Sequence, residues 1–391
     1  MKDLILINAK VLTEEDLINN GFVHIKDGKI AETGNRTEIP VIGEETETVV
    51  LPENYTVVPG FIDVHIHGAG GADTMDATTE ALNTMASVLP EEGTTSFLAT
   101  TITQGKEQII KALINAADYI GHHNEPGKAE VLGIHLEGPF INEARKGAQP
   151  ADHILPPDIQ LFAEMQEAAG NHIRLVTLAP EKENGYEFIS YLSENGVIAS
   201  IGHSDATYEQ MAKAVKAGAT HITHLFNGMR GMHHRDPGVA GAALLFEELK
   251  IEIIADGIHV VPEMIDLSLR AKKTDGVILV TDSMRAKCLK NGTYDLGGQE
   301  VSVAEGKALL ADGTLAGSIL KMKDSLRNMM DFTNISLEEA VKLASENPAK
   351  QLDIFDRKGS IANGKDADLV ILDENFEVAM AICRGEVSFK R

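Results

Sequence analysis

The chain has 391 residues, a formal net charge of −24 at pH 7 and 43% hydrophobic residues, an ordinary composition for a globular protein. Its length allows one large α/β domain and a smaller one, since a single α/β barrel uses about 250 residues. The negative charge argues against nucleic acid or an anionic membrane as a partner, because phosphate-rich surfaces would repel the chain.

Cysteine usage and the N-terminus indicate the compartment. Cys288 and Cys383 are far apart and outside any Cys-x-x-Cys pattern, so neither a disulfide framework nor a thiolate zinc site is expected. The first apolar run is short and has Asp3 beside it, unlike a signal peptide or a membrane helix. We therefore expect a cytoplasmic protein.

Residues 1–58 have the pattern of a small β domain. Short apolar runs alternate with turn signals, and the Asp27-Gly28 pair between two of these runs is typical of a hairpin. Residues 356–391 show the same texture. Because the first segment is too short to hold a good core alone, we expect the two ends of the chain to pair into one small β-sandwich domain.

Residues 59–355 alternate short apolar runs with longer segments of helical period. This alternation predicts a (β/α)8 barrel. The predicted strands are 61–66, 95–99, 131–136, 173–178, 197–201, 221–225, 251–255 and 277–281. The clearest predicted crossover helices are 78–89, 106–120, 158–169, 208–217 and 262–271. We also predict an inserted hairpin at 293–310 and closing helices at 319–333 and 336–345, the second of which starts with a capping box.

The first predicted barrel strand ends in His65-Ile66-His67-Gly68, which places both histidines on one face. Residues i and i+2 of a strand lie roughly 6.6 Å apart, so both imidazoles can face one cation. A strand with two hydrogen-bonded histidines would give the same pattern. Further ligands at the ends of other strands are needed to separate the two interpretations.

Ligand-type residues do follow several other predicted strands. They are Glu137 after the third strand, His203 after the fifth, His224 after the sixth and Asp282 after the eighth. In a barrel of this kind, the chemistry lies at the C-terminal ends of the strands. Four imidazoles and two carboxylates at one mouth predict a site for one or two divalent cations. Such ligands suit zinc, iron, manganese and cobalt alike.

Longer motifs surround these residues and resemble the amidohydrolase superfamily, more closely its N-acetylglucosamine-6-phosphate deacetylase family. The most specific are His135-Leu-Glu-Gly-Pro and Thr223-His-Leu-Phe-Asn, and matching motifs extend over nearly the whole chain. The resemblance implies a metal-dependent hydrolase with a TIM-like barrel. Its implied reaction converts N-acetyl-D-glucosamine 6-phosphate into D-glucosamine 6-phosphate and acetate, in amino-sugar catabolism and cell-wall sugar recycling.

The resemblance also implies roles for the residues at the mouth of the barrel. The implied metal ligands are His65, His67, Glu137, His203 and His224. Glu137 would replace the modified lysine that bridges two cations in many amidohydrolases. Asp282 would be the catalytic residue, which takes a proton from water and returns it to the leaving amine, and it can also be a further metal ligand. The cation would polarise the amide carbonyl and lower the pKa of bound water from about 15.7 to about 7.

Substrate contacts are implied in the same way. They are Ala148, Gln149, Asn227, Gly228, Arg235, His259, Leu315, Ala316 and Gly317. Arg235 would hold the 6-phosphate bidentately, although an exposed salt bridge is the alternative. The loop that carries it can reach a neighbouring subunit's site in this family, which implies a homodimer with Arg235 near the interface. Gln149 stands where some members have histidine, and an amide cannot carry a charge.

Two other functions remain open at this point. A cyclic amide could be the substrate, as for enzymes of the dihydroorotase type, but Glu137 in place of a bridging lysine speaks against it. The barrel could also be a metal-binding sugar-phosphate sensor without turnover. A sensor has no need of Asp282 beside the cations.

The number of cations is a separate question. Some members of the family lack His-x-His and use one cation, whereas His65 and His67 allow a second.

Overall fold

The structure is a computed structural model that describes residues 3–39, 43 and 45–391. Parts of the predicted N-terminal β segment, at positions 1, 2, 40–42 and 44, lie outside the described residues. The predicted fold class is confirmed, because a nearly closed barrel of eight parallel strands stands beside a separate, mainly antiparallel sheet. The domain limits at residues 58 and 356 stay a prediction.

Both ends of the chain contribute to the separate sheet, as the sequence predicts. Thr56–Pro59 from the first segment runs antiparallel to Leu369–Leu372 from the last, with Val57 opposite Ile371. The remaining strands of this sheet are Leu4–Leu12, Leu17–Lys26, Lys29–Asn35, Glu47–Val50, Val378–Cys383 and Glu386–Lys390. The sheet is therefore one unit built from the two ends of the chain.

The barrel strands follow one another in chain order around the barrel. They are Phe61–Ile66, Thr94–Thr100, Glu130–Glu137, Ile173–Leu178, Ile198–Ile201, His221–Ile222, Lys250–Ile253 and Val277–Leu279. Nearly every residue in these strands is buried, because helices cover the outside and side chains fill the inside. Continuous apolar runs were therefore a good signal for them.

Ten α-helices cover the barrel or follow its last strand in the described part of the chain. They are Thr79–Val88, Lys106–His122, Ile159–Ala168, Gly185–Glu194, Tyr208–Ala217, Gly238–Leu245, Pro262–Lys272, Met322–Thr333, Leu337–Val341 and Asn347–Gln351. The predicted capping box is present, since the Glu339 amide donates to Ser336 Oγ at 3.2 Å and the Ser336 amide donates back to Glu339. None of the helices in the described part of the chain is long and apolar enough to cross a membrane.

The insertion after the eighth barrel strand differs from the predicted hairpin. It is a three-stranded antiparallel sheet of Gly292–Leu296, Gln299–Ala304 and Lys307–Leu309. A second tight turn adds the third strand, because Glu305 and Gly306 both adopt positive φ angles of 50° and 78°. The hairpin prediction was thus one strand short.

The first and eighth barrel strands meet at a seam where buried side chains supplement an isolated backbone bridge. The hydroxyl of Thr281 donates to Asp63 Oδ2 at 2.5 Å. Lys287 approaches the same hydroxyl at 3.4 Å, and its Nζ lies 2.5 Å from Glu92 Oε1 with both side chains fully buried. Charged and polar contacts therefore help to close the barrel between its first and eighth strands.

A second buried ion cluster joins the barrel to the separate sheet. Lys358 is 2% exposed, and its Nζ lies 2.7 Å from Glu130 Oε2 at the start of the third barrel strand. The same Nζ lies 3.3 Å from Asp366 and also contacts Asp368, just before the sheet strand Leu369–Leu372. One ammonium group therefore holds carboxylates from both parts of the molecule.

We expect Lys358→Met to lower the free energy of unfolding by about 3–5 kcal/mol, because buried carboxylates would lose their counter-charge. Urea unfolding followed by circular dichroism measures the effect. The control is Lys111→Met, at an exposed position of a barrel helix. A Lys358 variant as stable as the control would show that the cluster does not stabilise the junction.

Candidate metal centre

The C-terminal ends of the barrel strands bring six ligand-type side chains together. They are His65, His67, Glu137, His203, His224 and Asp282, and all are buried. Three of them, His203, His224 and Asp282, have left-handed backbones with φ of 47°, 31° and 47°. Such a conformation costs about 1–3 kcal/mol for a residue other than glycine and is characteristic of functional sites.

Three predicted strands end earlier than expected. The sixth strand ends at Ile222, the seventh at Ile253 and the eighth at Leu279, before the predicted ends at 225, 255 and 281. A residue with positive φ cannot continue a β ladder, so the sixth strand does not extend through His224.

The six side chains form two groups. In the first, Asp282 Oδ1 lies 3.4 Å from His65 Nε2 and 3.3 Å from His67 Nε2. In the second, the Nε2 atoms of His203 and His224 each lie 3.2 Å from Glu137 Oε1. Each group offers three ligand atoms close enough to share one cation.

Glu137 connects the two groups. Its Oε1 faces His203 and His224, whereas its Oε2 lies 3.2 Å from His67 Nε2 in the other group. A carboxylate can offer one oxygen to each of two cations. The geometry therefore suits a bridging carboxylate at this position.

The local electrostatics fit positive charge at this point. Burial raises the pKa of Glu137, but the charge of His65 and the hydrogen bonds of His203 and His224 hold it well below its usual range. Burial lowers the pKa of His67, but hydrogen bonds to Asp282 and Glu137 outweigh this effect and raise it to about 10. The Nε2 atom of His65 is buried and has no hydrogen-bond partner among the described residues. The residues thus fit divalent cations.

Gln149 lies against the candidate ligand Glu137. Its Nε2 donates to Glu137 Oε2 at 2.6 Å, and its Oε1 accepts a hydrogen bond from the Thr103 amide at 2.8 Å. Because both ends of the amide are engaged, Gln149 also fixes the orientation of Glu137. Gln149 also lines the cavity above the candidate ligands, where a bound molecule would contact it.

A cavity of about 210 Å³ opens above the two groups. Its lining includes seven of the nine predicted substrate residues, namely Ala148, Gln149, Asn227, Gly228, His259, Leu315 and Gly317. Ala316 is buried beside the cavity but does not line it. Arg235 lies on the exposed loop 230–237, where its guanidinium contacts His234 Nε2 at 2.7 Å. Among the described residues that line the cavity, there is neither lysine nor arginine.

Sequence reasoning missed residues that contact the predicted ones from behind. Asp256 Oδ2 lies 2.6 Å from His259 Nδ1 and fixes the ring at the cavity wall. Glu252 contacts His65 in the same way at 2.9 Å. A lone acid in the apolar run Ile251-Glu-Ile-Ile254 was the available signal, since an unpaired charge is rarely buried. His135 is also engaged at both ring nitrogens: Nδ1 donates to Val64 O at 3.2 Å, and Nε2 contacts Thr177 Oγ1 at 2.7 Å.

Comparison with known proteins gives consistent relationships. The model of the amidohydrolase family matches residues 56–388. N-acetylglucosamine-6-phosphate deacetylase of Bacillus subtilis is 50% identical over 99% of this chain and 98% of its own length. N-acetylgalactosamine-6-phosphate deacetylase of Escherichia coli O157:H7 is 36% identical over 98% of this chain and 99% of its own length. A mutant N-acetyl-D-glucosamine-6-phosphate deacetylase of Mycobacterium smegmatis, solved in complex with N-acetyl-D-glucosamine-6-phosphate, has a TM-score of 0.91 at 31% identity, covering 99% of this chain and 100% of that one.

We expect two cations per chain at saturation, and His65→Gln together with His67→Asn should remove one, because Glu137, His203 and His224 form a complete group without them. Elemental analysis after equilibration with Zn²⁺ measures the content. His122→Gln with His123→Asn is the matched control at an exposed helix end. Wild-type protein that never takes up more than one cation would refute the two-cation site.

Proposed function

We propose, since the chain belongs to the amidohydrolase family, that it hydrolyses N-acetyl-D-glucosamine 6-phosphate to D-glucosamine 6-phosphate and acetate. The observation that carries the proposal is Glu137 between two groups of ligands, with Asp282 in the wall of the cavity above them. Relatives of that name are 50% and 44% identical over nearly the full length. Acetate release from the phosphorylated sugar, measured on a sample of known metal content, tests the proposal.

The proposed ligands of a divalent cation are Glu137, His203 and His224, with His65 and His67 for a second. An amide is a poor electrophile and water is a poor nucleophile. A bound cation would address both, because it polarises the amide carbonyl and lowers the pKa of bound water. Imidazole and carboxylate ligands accept zinc, iron, manganese and cobalt alike. The protein itself contributes the fixed positions of the ligands and the proton transfers.

Asp282 is the proposed proton carrier. Burial raises its pKa, but the facing His65 and His67 outweigh burial and hold the pKa below its usual value, so the group is an ionised acceptor. In the proposed reaction, a water loses a proton to Asp282 as its oxygen attacks the carbonyl carbon. The carbon–nitrogen bond then breaks, and Asp282 returns the proton to the leaving amine.

His259 is proposed to bind the substrate near the reacting amide. Its Nδ1 is engaged by Asp256, so its Nε2 is the nitrogen left to meet a ligand in the cavity. Asn227 and Gly228 lie on another wall, in the loop after His224. These groups supply neutral hydrogen bonds, which suit the hydroxyl and amide groups of a sugar.

The phosphate requires a cation that the cavity does not contain within one chain. No lysine or arginine stands among its described lining residues, and the chain as a whole carries a charge of −24. We propose that Arg235 of a second copy completes the site, so that the active form is a homodimer. The exposure of loop 230–237 supports this arrangement.

Other candidate functions receive less support. The relative that acts on N-acetylgalactosamine 6-phosphate is 36% identical, compared with 50% for the first relative, so the glucosamine epimer is preferred. Cyclic amidohydrolases of the dihydroorotase type use a bridging lysine where this chain has Glu137. Asp282 in the cavity favours turnover over a sensor role. A place in amino-sugar catabolism and cell-wall sugar recycling follows from the proposed reaction.

Arg235→Ala should raise the KM for N-acetylglucosamine 6-phosphate roughly 10- to 100-fold, since hydrogen bonds to a charged group contribute about 1.5–3 kcal/mol. Weak activity on unphosphorylated N-acetylglucosamine should stay nearly unchanged. Steady-state kinetics on both sugars measure the difference, with Arg270→Ala on an exposed helix as control. Equal losses on both sugars would point to a folding defect and remove Arg235 from the phosphate site.

Asp282→Asn keeps the shape of the side chain but abolishes its basicity. We expect kcat to fall about 10²- to 10⁴-fold while the substrate still binds. The cation held by Glu137, His203 and His224 should stay bound, because that group does not include the Asp282 carboxylate. Turnover within tenfold of the wild type, with metal fully bound, would assign the proton transfer to another group, and His259 would be the next candidate.

A further inference from the structure

We propose that Glu252 is a positioning residue that aligns one ligand from each group of the metal centre, and that the cation on the His65 side depends on it. Glu252 lies on the seventh barrel strand, Lys250–Ile253, and is fully buried. It lies outside the cavity lining, behind the ligands. The inference rests on the metal centre of the proposed function, and its test measures metal rather than turnover.

Glu252 accepts three hydrogen bonds. Its Oε2 lies 2.9 Å from His65 Nδ1 and 3.0 Å from the backbone nitrogen of His224. Its Oε1 lies 3.0 Å from His221 Nε2. One carboxylate thus contacts His65 in the first group and His224 in the second, while His221 fixes its other oxygen.

The contact with His65 sets the tautomer of the ring. The Glu252 Oε2 atom that faces His65 also accepts the hydrogen bond of the His224 amide, so it acts as an acceptor at this point. The nitrogen that faces it, Nδ1, therefore carries the proton. The lone pair of His65 is then on Nε2, the buried atom that has no partner among the described residues.

The contact with His224 acts on the backbone. His224 has a φ of 31°, a strained conformation that persists only when its surroundings hold it. The amide of His224 donates to Glu252, and this bond fixes the turn that brings the imidazole to Glu137. Glu252 therefore acts on the first group by keeping the proton of His65 on Nδ1. It acts on the second group by holding the backbone turn at His224.

A third cation at Glu252 is the competing interpretation, because His65, His135 and Glu252 also offer three nearby ligand atoms. The hydrogen bonds argue against it. His135 uses Nδ1 toward Val64 O and Nε2 toward Thr177 Oγ1, at 3.2 and 2.7 Å. Both ring nitrogens of His135 are therefore already engaged.

Glu252→Gln is the decisive variant. An amide of the same size has one acceptor oxygen and two donor hydrogens, so it cannot accept from all three donors. Chelator-treated protein is titrated with Zn²⁺, and bound metal is counted after gel filtration. We expect the affinity for one of the two cations to fall about 10- to 100-fold, as is typical when the partner of a metal-binding histidine is lost. Glu263→Gln, at an exposed helix start, is the matched control.

A combined variant shows whether Glu252 acts through His65. Glu252→Gln added to His65→Gln should cause no further loss on the His65 side, because the ring that it aligns is already absent. If Glu252→Gln does not fold, Glu252→Asp is measured instead; it keeps the charge but is one methylene too short. Two cations bound within threefold of wild-type affinity in the Glu252 variant would overturn the proposal. A third cation in the wild type that is lost in the variant would also overturn it. Failure of the proposed function would show separately, as absent acetate release by metal-loaded wild type.

Discussion

The charge of Glu137 is the constraint on which the rest of the site depends. A carboxylate buried at the mouth of a barrel costs several kcal/mol unless opposite charge lies within contact distance. Imidazoles from three other strand ends provide the groups that meet it, and each is held at a position that the strand ladder fixes. Residues 137 and 224 lie at the ends of different strands and come together only when the barrel has formed. Formation of the barrel and compensation of the Glu137 charge are therefore coupled.

The barrel is the part that the sequence predicts well. Its strands are buried on both sides, so apolar runs mark them, and Phe61–Ile66 and Ile173–Leu178 were predicted to the residue. The C-terminal ends of these strands also locate the candidate ligands, because residues at those ends lie at the mouth of the barrel. The early end of the sixth strand was not predictable, since the positive φ at His224 depends on tertiary contacts such as the bond from its amide to Glu252.

Glu252 and Gln149 mark the limit of reading one sequence. In the sequence, Glu252 is an unexplained acidic residue in an apolar strand. Only the structure shows that its carboxylate contacts His65 and His224. Gln149 could be assigned to the substrate from resemblance alone, but its bond to Glu137 exists only because a loop after the third strand folds back over that strand's end. Periodicity identifies which face a residue occupies, whereas partners from distant segments decide what it does there.

The pairing of the two ends of the chain has a consequence for biosynthesis. Thr56–Pro59 is made early, whereas its partner Leu369–Leu372 follows roughly 310 residues later, a delay of about 15–60 s at ordinary translation rates. During that interval the N-terminal strands expose an unpaired edge, which is a template for pairing with other nascent chains. Shielding of the first strands until the last ones emerge would prevent such pairing between nascent chains.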